Sequence, residues 1–394
     1  MSDARDVTAS EQALRAVRGG MVGRRAQSLA LNVVLYAVAI AGALAVSALL
    51  IVIATDSSPW SVFREMYEGS LGSGAALGLS IDEATPILIV ALGAVIAGRA
   101  GIINIGPEGQ LIIGGLCGAW IALKVPGPGP LLIVLTLAGA ALGGALWAGV
   151  AALLRFSRGV DIVISTLLLN FIAEEVLSFS VNRAYLLRET TDNPQSLPQS
   201  DRIPSDTHFP RLGEFPGFNV STGVFLALAA LVIVTVALRR SRWGFRMRML
   251  GLNPRASRRA GISVVALGTG ALLLSGGFAG LAGGTMLTGT VFRIQPGFSS
   301  SVGFNGLLVA LIARGNALWC IPVAFFFGAL QAGGGLLAAT GVPRYLVNVV
   351  QALLVLAALF PPVFIELRER RRQISRARAA AREERRPEPA AVPA

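Results

Sequence analysis

Along most of this chain, apolar positions neither alternate with polar ones nor recur at one-face helical spacing. They run together in long blocks separated by short polar or glycine- and proline-containing breaks. A helix needs about 20 predominantly apolar residues to cross the hydrocarbon core of a bilayer. Blocks of that kind lie near residues 30–54, 81–98, 129–153, 162–182 and 221–238. Further apolar stretches near 102–123, 263–290, 302–313, 317–338 and 344–365 are interrupted by glycine or proline. Together these predict an all-α, polytopic transmembrane helical bundle with about ten crossings, some of its helices interrupted.

Composition agrees with that picture. Of 394 residues, 54% are hydrophobic and 14% charged, the mean hydropathy is +0.66, and 46 glycines suit helices that pack closely inside a membrane. The net charge of +12 does not read as nucleic-acid binding, because the arginines cluster in short loops and a tail beside apolar spans, with few interleaved aromatics.

The arginines instead orient the bundle, since short cytoplasmic loops are enriched in Lys and Arg. With the N-terminus inside, alternate segments hold Arg99, Arg155, Arg158, eight arginines from Arg239 to Arg259, Arg314 and nine in the tail. The opposite side carries far fewer basic residues, among them Lys124, Arg183 and Arg293. Both termini are therefore expected in the cytoplasm. Residues 1–29 form a basic, uncleaved N-terminal segment, 30–365 the membrane domain, and 366–394 a basic, largely disordered tail lying against anionic headgroups. Residues 184–220 are too polar and proline-rich to span and form an outer loop or cap, while 239–262 form the main inner loop.

Little points to covalent chemistry. Lys124 is followed by Val125, so no phosphate-cradling G-x-x-x-x-G-K-[ST] loop exists. The single histidine, His208, lies in the outer loop, and Cys117 and Cys320 sit far apart in apolar runs. No Ser/His, metal-ligand or nucleophile–base set occurs in the spans.

Two broken segments stand out. In GIINIGPEGQLIIGG, Gly106, Pro107 and Gly109 interrupt an apolar run that also holds Asn104, Glu108 and Gln110; in GFSSSVGFNGLLVALIARGNALW, Gly303, Asn305 and Gly306 precede a run too short for a full span. The expected topology makes the two run in opposite directions, as inverted repeats do, and such segments often border a transported solute. Glu108 is the sharpest residue, because a carboxylate at membrane depth costs several kcal/mol unless paired, protonated or hydrated. It either accepts backbone N–H bonds at a broken helix end or faces the solute. Asn170 is an interhelical hydrogen-bonding amide, worth about 0.6 kcal/mol on average, or a second solute contact. Glu174 and Glu175 suit an interfacial position.

In the inner loop, RRSRWGFRMRMLGLNPRASRRAGIS, Asn253 is placed to cap a short helix with Pro254 in its first turn and Gly261 at its end.

At these residues the chain resembles the permease subunits of ATP-binding cassette (ABC) uptake systems for nucleosides and simple sugars, relatives of ribose and branched-chain amino-acid permeases. The likeness covers about residues 80–360 through NIGPEGQ (104–110), ISTLLLNFIA (164–173), GLNPRASRRAGI (251–262), SGGFAGLAGG (275–284) and GFNGLLVALIARGN (303–316). The resemblance implies a multi-pass protein of a bacterial inner (cytoplasmic) membrane that forms a substrate path and performs no covalent chemistry. It puts Asn104, Glu108, Gln110, Asn170 and Asn305 by that path, and makes 251–262, with Gly251, Asn253, Arg255, Ala256 and Gly261, the coupling helix that docks on an ATPase. It implies no cofactor or metal on this chain, ATP and Mg being held by a cytoplasmic ATP-binding subunit. A second homologous permease and an extracytoplasmic substrate-binding lipoprotein complete the expected partners, beside membrane lipids and without nucleic acid. The competing expectation is an ion-gradient-driven transporter of a polar solute, with Glu108 or Glu174 carrying protons.

Overall fold

A computed structural model describes residues 34–35, 37–53, 58–190, 198–214 and 217–339, with short pieces between 349 and 375. The N-terminal segment 1–29, most of the expected span 344–365 and most of the tail lie outside the described residues. Contacts divide the chain into two units, residues 62–341 and residues 1–61 with 342–394. Of the second unit, the described part includes an apolar helix, α1 (Ala37–Ile53).

The larger unit is helical. Its elements are α2 (Pro59–Ser70), α3 (Gly74–Arg99), α4 (Pro107–Lys124), α5 (Gly129–Arg158), α6 (Ile162–Asn182), α7 (Gly223–Arg240), α8 (Arg242–Leu252), α9 (Pro254–Arg259), α10 (Val264–Met286), α11 (Val302–Ile312) and α12 (Cys320–Ala339). A two-stranded antiparallel ribbon, β1 (Arg211–Leu212) with β2 (Val220–Ser221), lies between α6 and α7. Among the described residues, six helices are long and apolar enough to cross a membrane: α3, α5, α6, α7, α10 continued to Val291, and α12 with the turn before it.

Burial separates the centre of the bundle from its rim. The apolar window of α3 is 83% buried, against 33% in α5, α6 and α7. So α3 is the core, packed against α7, α10, α11 and α12, while the others turn one face outward through residues such as Leu146, Phe171 and Ile233. Fully apolar outer faces fit a hydrocarbon surround, where small residues and not apolar ones mark the interfaces. One such interface joins α4, α5 and α10: a Cβ on Gly144 would meet the Gly280 Cα at 2.7 Å, so the two backbones touch in a way only glycine permits.

The described residues between α6 and α7 cap one end of the bundle. Their backbone is tied to the chain leaving α10 by Ser200 N to Ile294 O (2.8 Å), Ile203 N to Phe292 O (2.9 Å) and Phe209 N to Thr288 O (2.9 Å). Arg293 Nη1 donates to Gln199 Oε1 at 2.8 Å. The Thr288 carbonyl belongs to a π-helical turn, Leu287–Val291. From α3, the buried Asp82 accepts from Ser221 N at 2.8 Å and meets Arg211 at 3.5 Å. His208 stacks on Phe292 with ring centroids 4.0 Å apart.

On the opposite side, Asn253 and Pro254 start α9 as the local sequence requires: Asn253 Oδ1 accepts from Ala256 N at 3.0 Å, Pro254 holds the first turn, and Gly261 follows with φ 75°. The residues before them form a second helix, α8, which sequence alone did not separate from the loop. Ser241 caps it through Gly244 N at 3.0 Å, and Met247 and Leu250 pack with Ala100 and Ala271.

Candidate functional site

The chain between α3 and α4 does not continue as helix. After a turn at Ala100 and Gly101 (φ 73°), residues 102–106 are irregular, and α4 starts at Pro107, whose missing N–H is no loss in a first turn. Irregular backbone inside a membrane protein is tolerated only where its polar groups find partners. Here side chains of α6 supply several of them. Ile105 N donates to Thr166 Oγ1 at 3.2 Å, Asn170 Nδ2 to Ile105 O at 2.9 Å, and Gly109 N to Asn170 Oδ1 at 2.9 Å. Asn104 folds back on its own segment: its Oδ1 accepts from Gly106 N at 3.0 Å and from Gln110 Nε2 at 3.2 Å, and its Nδ2 donates to Gln110 Oε1 and Ser275 Oγ, both at 3.0 Å. Asn104, Gln110 and Asn170 are all buried, so these bonds form away from water and are costly to leave unmade.

Glu108 belongs to the same cluster but reaches the other way. It lies in the first turn of α4, and its Oε2 accepts from Phe304 N at 3.1 Å, in the first turn of α11. Gly303 N–H and the Ser299 hydroxyl add further bonds to the carboxylate. The residue preceding α11, Ser301, has φ 62° and makes no side-chain cap of its own. One carboxylate therefore caps a helix 196 residues away while sitting at the positive end of its own helix. Closeness requires Gly303, whose added Cβ would stand 2.5 Å from the Glu108 Cα. Ser300 and Ser301 both hold left-handed φ, 44° and 62°, a strained approach of the kind that gathers at working sites.

Of the residues singled out from sequence, Asn104, Glu108, Gln110 and Asn170 are thus brought together at the start of α4. Asn305 lies one residue past the Glu108 contact, half-buried, and its side chain has no hydrogen bond among the described residues. Glu174, one turn beyond Asn170, is partly buried, its charge repelling that of Glu108, while Glu175 is exposed. Ser275, Thr166 and Ser299 were missed as site residues; Thr166 and Ser275 stand in two of the recognised motifs, and nothing local marks Ser299. Asp82 was missed too, although a DE pair at the head of an apolar block is a visible signal.

Towards the end of the bundle that carries α8 and α9, Asn104 also borders a cavity of about 360 Å3 between α3 and α11, with Arg99 and Arg314 at its mouth. The α8–α9 junction touches this region directly. A Cβ on Gly101 would lie 3.0 Å from the Gly251 Cα, and one on Gly251 would lie 2.5 Å from the Arg99 carbonyl oxygen. Asn253, Arg255, Ala256 and Gly261 are exposed, whereas Ser257 is buried and bonded to Asn253 O at 3.0 Å.

Comparison with known proteins bears on this arrangement. Residues 79–359 match the family described as branched-chain amino acid transport system / permease component. The chain is 34% identical over 324 residues to a glucose ABC transporter permease protein of Haloferax volcanii, covering 80% of this chain and 83% of that one. It is 31% identical over 310 residues to one guanosine ABC transporter permease protein of Bacillus subtilis, covering 78% of this chain and 87% of the relative. To a second guanosine ABC transporter permease protein of the same organism it is 28% identical over 252 residues, 63% of this chain and 78% of that one. With a family match across most of its length and a bundle of apolar helices around two interrupted ones, the chain belongs to this permease family and is a multi-pass membrane component of an ABC transporter, not an enzyme.

Proposed function

We propose that this chain forms the path of a nucleoside or simple sugar through an ABC importer, with the junction of α4 and α11 as the part of the path that moves. The observation that carries the reading is the Glu108–Phe304 bond, which joins two interrupted helices through one carboxylate. Relatives named for glucose and guanosine support a neutral, hydroxyl-rich solute, for which amides and a carboxylate are suitable partners. Asn104, Glu108, Gln110 and Asn170 shape the path, and Asn305 offers an amide free to meet the solute. The family favours ATP-driven uptake over the gradient-driven alternative.

In this reading residues 251–262, the end of α8 with α9, are the coupling segment, with Gly251, Asn253, Arg255, Ala256 and Gly261 docking on a cytoplasmic ATP-binding subunit that carries ATP and Mg. A displacement of α9 reaches Gly101 through its backbone contact with Gly251, and residues 102–106 pass it to Glu108. The full protein crosses the membrane about ten times with both termini in the cytoplasm, and the two interrupted regions are inverted repeats. Two related guanosine permeases in one organism support a second, homologous permease beside this one, and an extracytoplasmic binding lipoprotein delivers the solute.

Co-purification of the tagged chain from its native membrane, with ATP hydrolysis measured across nucleosides and sugars, tests the proposal. Recovery of an ATP-binding subunit and stimulation by one of these solutes is expected. Recovery of the chain alone, with uptake that follows an ion gradient, would overturn it.

A further inference from the structure

Where α7 ends and α8 begins, the surface opens into a cleft of about 970 Å3 that reaches across to the first turn of α10. Four arginines stand along it, Arg239 and Arg240 from the last turn of α7 and Arg242 and Arg246 from α8. Arg239 donates to Asn316 Oδ1 at 3.2 Å. The other three are exposed and have no hydrogen bond or ion pair among the described residues. No carboxylate lies near them in sequence, because positions 215 to 365 contain neither Asp nor Glu.

The rest of the wall is apolar. Phe245, 63% exposed, and Met249 project from α8, and Ala266 and Leu267 face them from the start of α10. Both α7 and α10 are long apolar helices of membrane-crossing length, so the cleft lies at the depth where such helices leave the hydrocarbon. A site for a soluble anion would have no use for an exposed phenylalanine beside its guanidiniums. A molecule that is anionic at one end and hydrocarbon at the other would use both walls.

We propose that this cleft binds an anionic phospholipid, its phosphate held by Arg240, Arg242 and Arg246 and the upper part of an acyl chain lying on Phe245 and Leu267. Guanidiniums suit the task because they pair with phosphate oxygens in a bidentate fork and stay charged. The lipid would pin the α7–α8 junction to the head of α10, at the edge of the α9 segment, whose Gly261 also borders the cleft.

The test uses the full chain, stripped of lipid in detergent, and native mass spectrometry with phosphatidylglycerol against phosphatidylcholine. The expected result is a preference for phosphatidylglycerol of about tenfold, falling to within about twofold in the R240Q/R242Q/R246Q variant. The corresponding lysine variant keeps the charge and loses the fork, and an intermediate preference is expected. Single R240Q and R242Q variants serve if the triple variant does not fold, each expected to lower the preference about threefold. Arg158→Gln, an arginine at the end of α5 that does not line the cleft, should leave it unchanged. Equal binding of the two lipids, or an equal loss in Arg158→Gln, would overturn the proposal as diffuse surface charge. Displacement by millimolar inorganic phosphate would overturn it in favour of a soluble anion, and stoichiometric displacement by the ATP-binding subunit in favour of a protein interface.

Discussion

Gly101 and Gly251 meet backbone to backbone, so that the end of α8 rests on the turn from which the interrupted segment departs: a Cβ on Gly101 would be 3.0 Å from the Gly251 Cα. No side chain lies between the two, and none can be added without moving one of them. The contact sits 5 residues upstream of Gly106 in a segment whose far end carries Glu108.

Gly251→Ala should therefore insert normally and lose transmission. Its Cβ would stand 2.5 Å from the Arg99 carbonyl oxygen, forcing α8 away from the turn. Solute-stimulated ATP hydrolysis is expected to fall about tenfold, about 1.4 kcal/mol of coupling, with basal hydrolysis retained. Stimulation equal to wild type would remove Gly101–Gly251 from the route.

Glu108→Ala leaves the N–H groups of Gly303 and Phe304 without an acceptor in a buried place. A loss of about 1–3 kcal/mol is expected, read as a lower melting temperature in detergent. Glu108→Gln keeps an acceptor oxygen and should recover most of it, losing only the charge–dipole part of about 0.3–1 kcal/mol. If both variants melt together with wild type, the cap contributes nothing.

Asn170 and Asn305 should behave oppositely. Asn170→Ala strips partners from Gly109 N and Ile105 O, at a cost of about 1–3 kcal/mol in stability. Asn305→Ala removes no side-chain hydrogen bond, so stability should change by less than about 0.5 kcal/mol while the KM for uptake rises. Thermal melts and uptake kinetics on the same two proteins separate the roles.

The cap between α6 and α7 depends on Asp82, whose side chain is 2% exposed and pairs with Arg211, itself 40% exposed. Asp82→Ala removes the acceptor of Ser221 N and the ion-pair partner of Arg211, and faster cleavage between 198 and 222 in limited proteolysis is the expected readout. An unchanged cleavage rate would show that the bonds to the chain leaving α10 hold the cap without Asp82.

His208 should make the cap weaken in acid. Burial against Phe292 lowers its pKa below the usual 6.5, the Ile203 carbonyl opposes that, and the charges of Arg202 and Arg211 lower it further against the pull of Asp206. Since the folded state binds the proton less well than the unfolded one, this contribution is complete above about pH 6.5 and is lost as pH falls towards the folded value. Proteolysis of the cap should accelerate between pH 7.5 and pH 5.5, values spanning about one unit on either side of the free imidazole pKa, and His208→Gln should flatten the difference.

The α9 cap was readable because Asn253, Pro254 and Ala256 are neighbours, and the rules that join them act within one turn. The apolar blocks were readable for a related reason: lipid solvation acts on each residue according to its own polarity, whichever helix it later packs against. α8 was hidden because its sequence mixes arginine with tryptophan, phenylalanine and methionine, and only packing of Met247 and Leu250 on Ala100 and Ala271 shows which face is buried. The site was half visible: its amides and Glu108 stood out as polar groups in apolar runs, but nothing in NIGPEGQ announces what they bind.

By itself, then, the sequence determined that the chain is a bundle of apolar helices and where the run before Pro107 must break, since each follows from local composition. Only the tertiary structure decided that Asn170 and Asn104 are spent on the backbone of the break, that Glu108 caps α11, and that Gly251 rests on Gly101. The bonds of Asn170 and Glu108 join residues 61 to 196 positions apart. Their physical basis is the need of each buried donor and acceptor for a partner, which can be met by any suitable group that packing brings near, and sequence distance carries no information about which one that will be.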